Sequence, residues 1–316
     1  VSIITAPGAY PDISNDDYHR NADLLPTPSL SSSGAKKLLS QSPFHFWYDS
    51  PMNPERPEED DASHFAIGKA AHDMLLLEGR FTDAYHVLPD GFAWNKTKAM
   101  PEAIAEAFEA REAGKCLIKH ADALTVEIVA KALRSNPLVM AALSNGVTEE
   151  TLAWKDEETG VWLRARPDFR SNTIVTGGTV RLDVDLKFMA PTHCSPDGFA
   201  RAVSNFGFHQ SAAFYADGMK HCHGHAPTNR LHIVVEKDAP HSVSLYELPA
   251  EDLARGRWLN RKAIRLFADC LSADRWPAYS DEPTLCGLTG WARKQIDTLI
   301  ENEPVSEPET EQKEAA

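Results

Sequence analysis

The 316-residue chain has no run of eighteen or more uncharged apolar residues, so no segment reads as a membrane-spanning helix. Its opening residues, Val1-Ser2-Ile3-Ile4-Thr5-Ala6-Pro7, lack the basic flank and apolar stretch of a secretory signal, and an intracellular, cytoplasmic location is expected. Cysteine is scarce: Cys116, Cys194, Cys222, Cys270 and Cys286 are an odd number at irregular spacing with no C-x-x-C pair. That pattern excludes a zinc ribbon and a disulfide framework, and reduced thiols are expected. Internal repeats are lacking too. Positive charge is in short supply, with a net charge of −14, which argues at first against a nucleic-acid partner. Part of that excess is local. Residues 301–316 hold six glutamates and one lysine and almost no branched apolar residues, the composition of a disordered tail. An acidic protein can still bind DNA if its metal-binding carboxylates are neutralised by divalent ions and its groove is locally basic.

What is present is a globular composition, 42% hydrophobic and 25% charged, on a chain long enough to bury a sizeable core. From Thr27 to Ser50, serines and Pro43 predict the starts of two short helices packed by Leu38, Leu39, Phe44 and Trp47. The Pro-, Glu- and Asp-rich stretch from Pro51 to Asp61 reads as a solvated loop. Ile67, Ala70, Ala71, Met74 and Leu75 fall at helical spacing within Ala66 to Glu78, with Gly79 as the stop. Two alanine-rich helices, broken near Gly114, are expected between Met100 and Ser135.

The pattern then changes to strands: Thr148 to Trp154, Gly160 to Phe169 and Val180 to Phe188, the first two joined by a turn at Asp156-Glu157-Glu158-Thr159-Gly160. Helices are expected over Pro196 to Asn205 and His209 to His221, then strands over Arg230 to Glu236 and Ser242 to Leu248, then a long helix from Ala250 to Leu271. This order describes an α/β domain with a mixed sheet.

Along Asp183-Val184-Asp185-Leu186-Lys187 the side chains of a strand alternate, so Asp183, Asp185 and Lys187 share one face while Val184 and Leu186 face the other. Burying three charged groups there is expensive unless they are paired. A divalent metal held by carboxylates, with a lysine nearby to hold a water or phosphate oxygen, offsets that cost. Carboxylate-x-lysine triplets are common, and Glu311-Gln312-Lys313 in the tail is another. The Asp185 triplet differs in lying on a strand and in following Arg166-Pro167-Asp168 on the adjoining hairpin. On the Ala66 helix, Gly68 and His72 lie one turn apart on one face: glycine permits close approach of another backbone, and His72 has the chemistry to ligate a metal or bind a phosphate. A lone helical histidine is otherwise a surface or satisfied core residue.

Taken together, Gly68-x-x-x-His72, Glu149 before Trp154, Arg166-Pro167-Asp168, Asp185-Leu186-Lys187 and a Gln-Tyr helix resemble the RecB-like nucleases of the PD-(D/E)xK type, and within them the RecE (exonuclease VIII) branch of phages and prophages. The resemblance runs from Leu30 to Trp291 and includes Leu30-Ser31-Ser32-Ser33-Gly34, Ser42-Pro43-Phe44-His45-Phe46, Ala213-Phe214-Tyr215-Ala216-Asp217-Gly218 and Trp276-Pro277-Ala278-Tyr279. It implies a restriction-endonuclease-like α/β core, a central mixed β-sheet flanked by helices, with a helical N-terminal part. The implied organisation is an extension over 1–26, one nuclease domain over 27–300 (27–146 mainly helical, 147–300 the catalytic core) and the acidic tail over 301–316.

It further implies a Mg2+- or Mn2+-dependent exonuclease that degrades linear double-stranded DNA from 5′ ends, leaving a 3′ single strand for a RecT-like annealing protein, and a ring-shaped homo-oligomer with no membrane partner. By the same resemblance His72, Asp168, Asp185 and the main-chain carbonyl of Leu186 would hold the metal, and Lys187 would orient or activate the attacking water. Glu149, or its neighbour Glu150, would be a further acidic residue at the site, and Gln210 and Tyr215 would lie near the phosphate. The family usually spaces that glutamine and tyrosine four apart; here they are five apart, with Ser211 at the expected glutamine position, a shift of about 100° around a helix. An endonuclease, a single-strand-specific nuclease and a catalytically silent DNA-binding scaffold are the rival readings. His221-Cys222-His223-Gly224-His225 has zinc-ligand types but no second half, so a zinc site is not expected. The cysteine spacing does not suit the iron–sulfur cluster that related nucleases can hold.

Overall fold

The computed structural model describes residues 3–57, 63–76, 81–96, 100–175, 178–280 and 282–302, with side chains except at 63–67, 172–175, 178 and 179. Two compact units divide the chain, Val1–Trp276 and Pro277–Ala316. Serine side chains start the early helices. Ser14, Ser31 and Ser42 accept a backbone N–H in the first turns of α1 (Asn15–Arg20), α2 (Ser32–Ser40) and α3 (Pro43–Asp49), and Pro43 fills a first-turn position that needs no donor. Short strands β1 (Gly8–Tyr10) and β2 (Ser29–Ser31) flank α1. The phase of α3 puts Phe46 inside, 5.6 Å from the rings of both Phe267 and Trp276, and leaves Phe44 exposed, which corrects the expected packing. The loop that follows is not wholly solvated: Asn53 is buried and donates to the Tyr48 carbonyl at 2.8 Å.

The predicted histidine-bearing helix is α4 (Ser63–Leu76), with Ala70 and Ala71 fully buried. Its expected stop at Gly79, the side chain of Ile67, residues 58–61 of the expected loop and the tail from 303 onward lie outside the described residues. After α5 (Phe81–Ala84) and β3 (Tyr85–Val87), the helix α6 (Pro101–Glu112) ends before Gly114, whose φ of +77° suits glycine. Then come β4 (Cys116–Ile118), α7 (His120–Arg134) and α8 (Pro137–Ala142).

Where three strands are expected there are five: β5 (Gly146–Thr148), β6 (Thr151–Lys155), β7 (Trp162–Ala165), β8 (Phe169–Val175) and β9 (Gly178–Met189). The helices α9 (Pro196–Phe206) and α10 (Phe208–His223), the strands β10 (Asn229–Glu236) and β11 (Val243–Glu247), and the helix α11 (Ala250–Ala273) follow close to their predicted bounds. The second unit contains α12 (Gly290–Asn302).

The strands form a mixed five-stranded sheet of order β11-β10-β9-β8-β5, a four-stranded sheet of order β1-β6-β7-β2 and a two-stranded pair β3-β4. In the five-stranded sheet only β9 and β10 run parallel. Val184 and Leu186 join Ala70, Ala71, Val126, Val129 and Leu133 in one core, so α4 and α7 cover one face of this sheet. Met189 and Val234 pack with Phe199, Ala202 and Phe208 of α9 and α10 in another. Alternation also sorts the four-stranded sheet. Leu152, Trp154, Leu163 and Ala165 pack against α2, α10 and α11, while Ala153 and Trp162 face Ile4, Tyr18, Leu24 and Leu25.

Two of the expected strands each cross from one sheet to the other. The first breaks at Glu149-Glu150 between β5 and β6, and the second at Arg166-Pro167-Asp168 between β7 and β8. The breaks lie side by side, since the Glu149 N–H donates to the Asp168 carbonyl at 3.0 Å. Pro167 has no N–H for a ladder, and Glu149 has a φ of +50°, a left-handed conformation that ends a strand.

Candidate active site

This double break sets two acids beside α4. From the second break Asp168 reaches His72, its Oδ1 3.9 Å from the imidazole Nε2, while its Oδ2 accepts the Leu186 N–H at 2.8 Å. From the first, Glu149 places Oε1 3.8 Å from His72 Nδ1, and its Oε2 receives the Arg166 guanidinium at 3.0 Å. Arg166 is itself fixed by the Ile13 carbonyl at 2.8 Å and the Thr151 hydroxyl at 2.9 Å. Asp73 adds a third carboxylate, 3.4 Å from His72 Nδ1. One ligand atom each from His72, Asp73 and Glu149 all lie within 4.8 Å of one another. Of the two adjacent glutamates, Glu149 is the one that faces His72. Glu150 turns away and is held at 2.9 Å by both Arg170 and His223.

On β9, Asp183, Asp185 and Lys187 share a face, as alternation requires. Parallel pairing with β10 sets Arg230 opposite Asp183 and His232 opposite Asp185. The buried Arg230 guanidinium bridges both acids, donating to Asp183 Oδ2 and, at 2.7 Å, to Asp185 Oδ1. Lys187 Nζ lies 2.8 Å from Asp185 Oδ2. The Arg230 guanidinium stacks 4.7 Å from the Tyr215 ring, so the aromatic residue on α10 does face this cluster. Gln210 is buried on the same helix with no hydrogen-bond partner for its Nε2, beside Gly207 and Lys36. The expected close approach at Gly68 is to the Phe188 side chain, at an ordinary 3.5 Å from where a Cβ would stand.

The charges act on one another. Burial raises the Asp168 pKa and the charge of Asp185 raises it further, against Lys187 and His72. Burial pushes Asp183 up to about 6, despite Arg230. Burial would raise Asp185 too, but the charges of Lys187 and Arg230 outweigh it and hold the carboxyl well below its usual range. Lys187 is the mirror image, with burial lowering its pKa and Asp185 and Asp168 raising it to a net increase, so the amine is protonated. For His72, burial lowers the pKa while Asp73, Asp168 and Glu149 raise it to a net increase. His232 is lowered by burial to about 3 and is neutral.

Four residues near these groups carry no recognised motif: Asp73, Arg230, His232 and Lys36. Burial and the neighbouring charge of Lys187 lower the Lys36 pKa to about 8. Adjacency to His72 could have suggested Asp73; Arg230 and His232 become visible only once β10 is known to pair with β9. A cavity of about 640 Å3 opens beside the acids, lined by Asp12, Ser14, Lys69, Asp73, Glu149 and Arg166. Elsewhere, all five cysteines are free thiols, and His223 and His225 stack on each other beside Glu150 and gather no metal-ligand group among the described residues.

Residues 31–289 match the family described as a PDDEXK-like domain of unknown function (DUF3799). The chain belongs to this PDDEXK-like family. The fold is similar to that of a crystal structure named "Putative exonuclease" from Eubacterium rectale, with a TM-score of 0.56 over 89% of this chain and 97% of that one at 14% identity. No curated protein matches the sequence. The mixed α/β architecture and PDDEXK-like core are those the sequence led one to expect.

The PDDEXK fold typically works with a divalent cation, and the donors here fit one. Carboxylates and an imidazole are suitable ligands for Mg2+ or Mn2+. Buried Asp185 Oδ2 and Asp183 Oδ1 accept no hydrogen bond, although Lys187 is in ion-pair contact with the former. No helix of the described residues is long and apolar enough to cross a membrane.

Proposed function

We propose that this PDDEXK-like protein is a Mg2+- or Mn2+-dependent exodeoxyribonuclease. It would degrade linear double-stranded DNA 5′ to 3′ and leave a 3′ single strand for recombination through a RecT-like annealing protein, as the RecE resemblance implies. The observation that supports the reading is the place of Asp168: from the β7–β8 break its carboxylate lies 3.9 Å from His72 of α4 and accepts the backbone N–H of Leu186 on β9, between Asp185 and Lys187, although the close ligand group the described residues form is His72, Asp73 and Glu149. His72, Asp168, Asp185 and the Leu186 carbonyl would hold the cation. A divalent cation held there supplies Lewis-acid polarisation of the scissile phosphate and a lowered pKa for an attacking water. Lys187, protonated between Asp185 and Asp168, would position that water and stabilise charge on the phosphorane-like transition state. Glu149 would hold a water or a second cation beside His72, and Gln210 and Tyr215 would contact the phosphate. The proposed assembly is a cytoplasmic ring of identical chains around the duplex.

A time course on linear and covalently closed circular duplex with Mg2+ tests the reading, which expects linear DNA to be consumed and circles to survive. Cleavage of circles would make the protein an endonuclease, and digestion of single strands alone a single-strand-specific nuclease. Release of no acid-soluble nucleotide with either Mg2+ or Mn2+ would favour a silent DNA-binding scaffold.

A further inference from the structure

His72 is approached by acids on both ring nitrogens, and the two sides are not equivalent. Nδ1 faces Asp73 Oδ1 at 3.4 Å and Glu149 Oε1 at 3.8 Å; Nε2 faces Asp168 Oδ1 at 3.9 Å. Asp73 is 8% exposed and already committed, because its Oδ2 accepts the hydroxyl of buried Tyr85 at 2.7 Å. Tyr85 is 4% exposed and stacked against Phe81 with ring centroids 5.0 Å apart. A carboxylate gripped at one oxygen by a fixed phenol and aimed with the other at an imidazole nitrogen has the form of an orienting group.

We infer that Asp73, anchored by Tyr85, is a positioning residue that keeps the proton of neutral His72 on Nδ1 and so turns the Nε2 lone pair toward Asp168 as a divalent-cation ligand. The inference rests on the proposed metal-dependent reading and deepens it by assigning which nitrogen binds and what orients it. Two carboxylates facing Nδ1 favour a proton there. The same proton leaves Nε2 with a lone pair opposite an acid, an arrangement that a cation between the two satisfies.

The test uses the full-length protein and Mn2+ alone as the probe. Mn2+ affinity is read by electron paramagnetic resonance, and the His72 tautomer by 15N NMR of histidine-labelled, metal-free protein at high pH, with His72→Gln to assign the signal. Wild type is expected to show the Nδ1–H form. Asp73→Ala is expected to bind Mn2+ about 10- to 100-fold more weakly. Asp73→Asn, which keeps an acceptor, should recover most of that loss, and the conservative Tyr85→Phe should lose several-fold with the fold intact. An Nε2–H tautomer in wild type, or wild-type Mn2+ affinity in Asp73→Ala, would overturn the inference. Equal losses in Asp73→Asn and Asp73→Ala would overturn it in favour of Asp73 as a direct ligand. The Nδ1–H form in a protein that cuts no DNA with Mn2+ would remove the nuclease reading and leave the relay standing; cleavage with the Nε2–H form would do the reverse.

Discussion

Asp183 and Asp185 are buried with a single guanidinium, that of Arg230, between them. Removing one member of a buried ion pair strands the others without water, at a cost of about 3–5 kcal/mol. Arg230→Met is therefore expected to lower unfolding stability by about that amount in urea melts, and a loss below about 1 kcal/mol would show that the acids take up protons or water instead. Lys187 differs because Asp185 keeps Arg230 when the amine is lost. Lys187→Ala is expected to reduce DNA cleavage by at least about 100-fold while thermal melting stays within a few degrees of wild type. Period-two alternation made the shared face of Asp183, Asp185 and Lys187 legible in the sequence. Arg230 was not legible, because its position depends on a parallel pairing between strands more than forty residues apart.

At the scale of elements, the β5–β6 and β7–β8 breaks do most to place the acids. Sequence pattern presented each as one strand, since apolar alternation resumes on the far side of Glu149-Glu150 and of Arg166-Pro167-Asp168. Pro167 was the local sign of the second break; the left-handed backbone at Glu149 had none, because glutamate does not advertise it. The hairpin turn from Asp156 to Gly160 was legible, and it is clamped to α11 by the paired contacts of Arg261 with Asp156 at 2.9 and 2.7 Å. Burial raises the Asp156 pKa, but Arg261 and Thr159 outweigh it and lower the pKa overall. The folded carboxyl thus loses its proton at lower pH than the unfolded one. The clamp's stabilisation is complete above the unfolded value of about 3.9 and is lost as pH falls through the folded value. The stability difference between wild type and Asp156→Asn should accordingly shrink as the pH is lowered from about 5 to about 3 in parallel melts, and a difference independent of pH would contradict the clamp. Packing of α10 on α11 depends on Gly256, where an added Cβ would stand 2.3 Å from the His209 carbonyl oxygen. Gly256→Ala is expected to cost about 1–3 kcal/mol by denaturant unfolding and to shift the adjoining Gln210, and an unchanged midpoint would show that the helices separate freely.

For the molecule as a whole, the charge of −14 is concentrated unevenly. Residues 301–316 account for five of the fourteen excess negative charges, whereas the acids near His72 and Asp185 are largely offset by Lys187, Arg230 and Arg166. The proposed ring would place its basic groups toward the DNA, and light scattering of the intact protein should give a mass several times 34.9 kDa, whereas a monomer would remove that assembly. The central proposal concerns chemistry rather than assembly: that a cation held by His72, Asp168 and Asp185 beside the Lys187 ammonium group would cut phosphodiester bonds. Its most direct test is digestion of 5′-end-labelled linear duplex by wild type and Lys187→Ala, with Mn2+ and with chelator. The account predicts release of the label by wild type only when Mn2+ is present and almost none by the variant; equal digestion by both proteins, or digestion that persists in chelator, would contradict it.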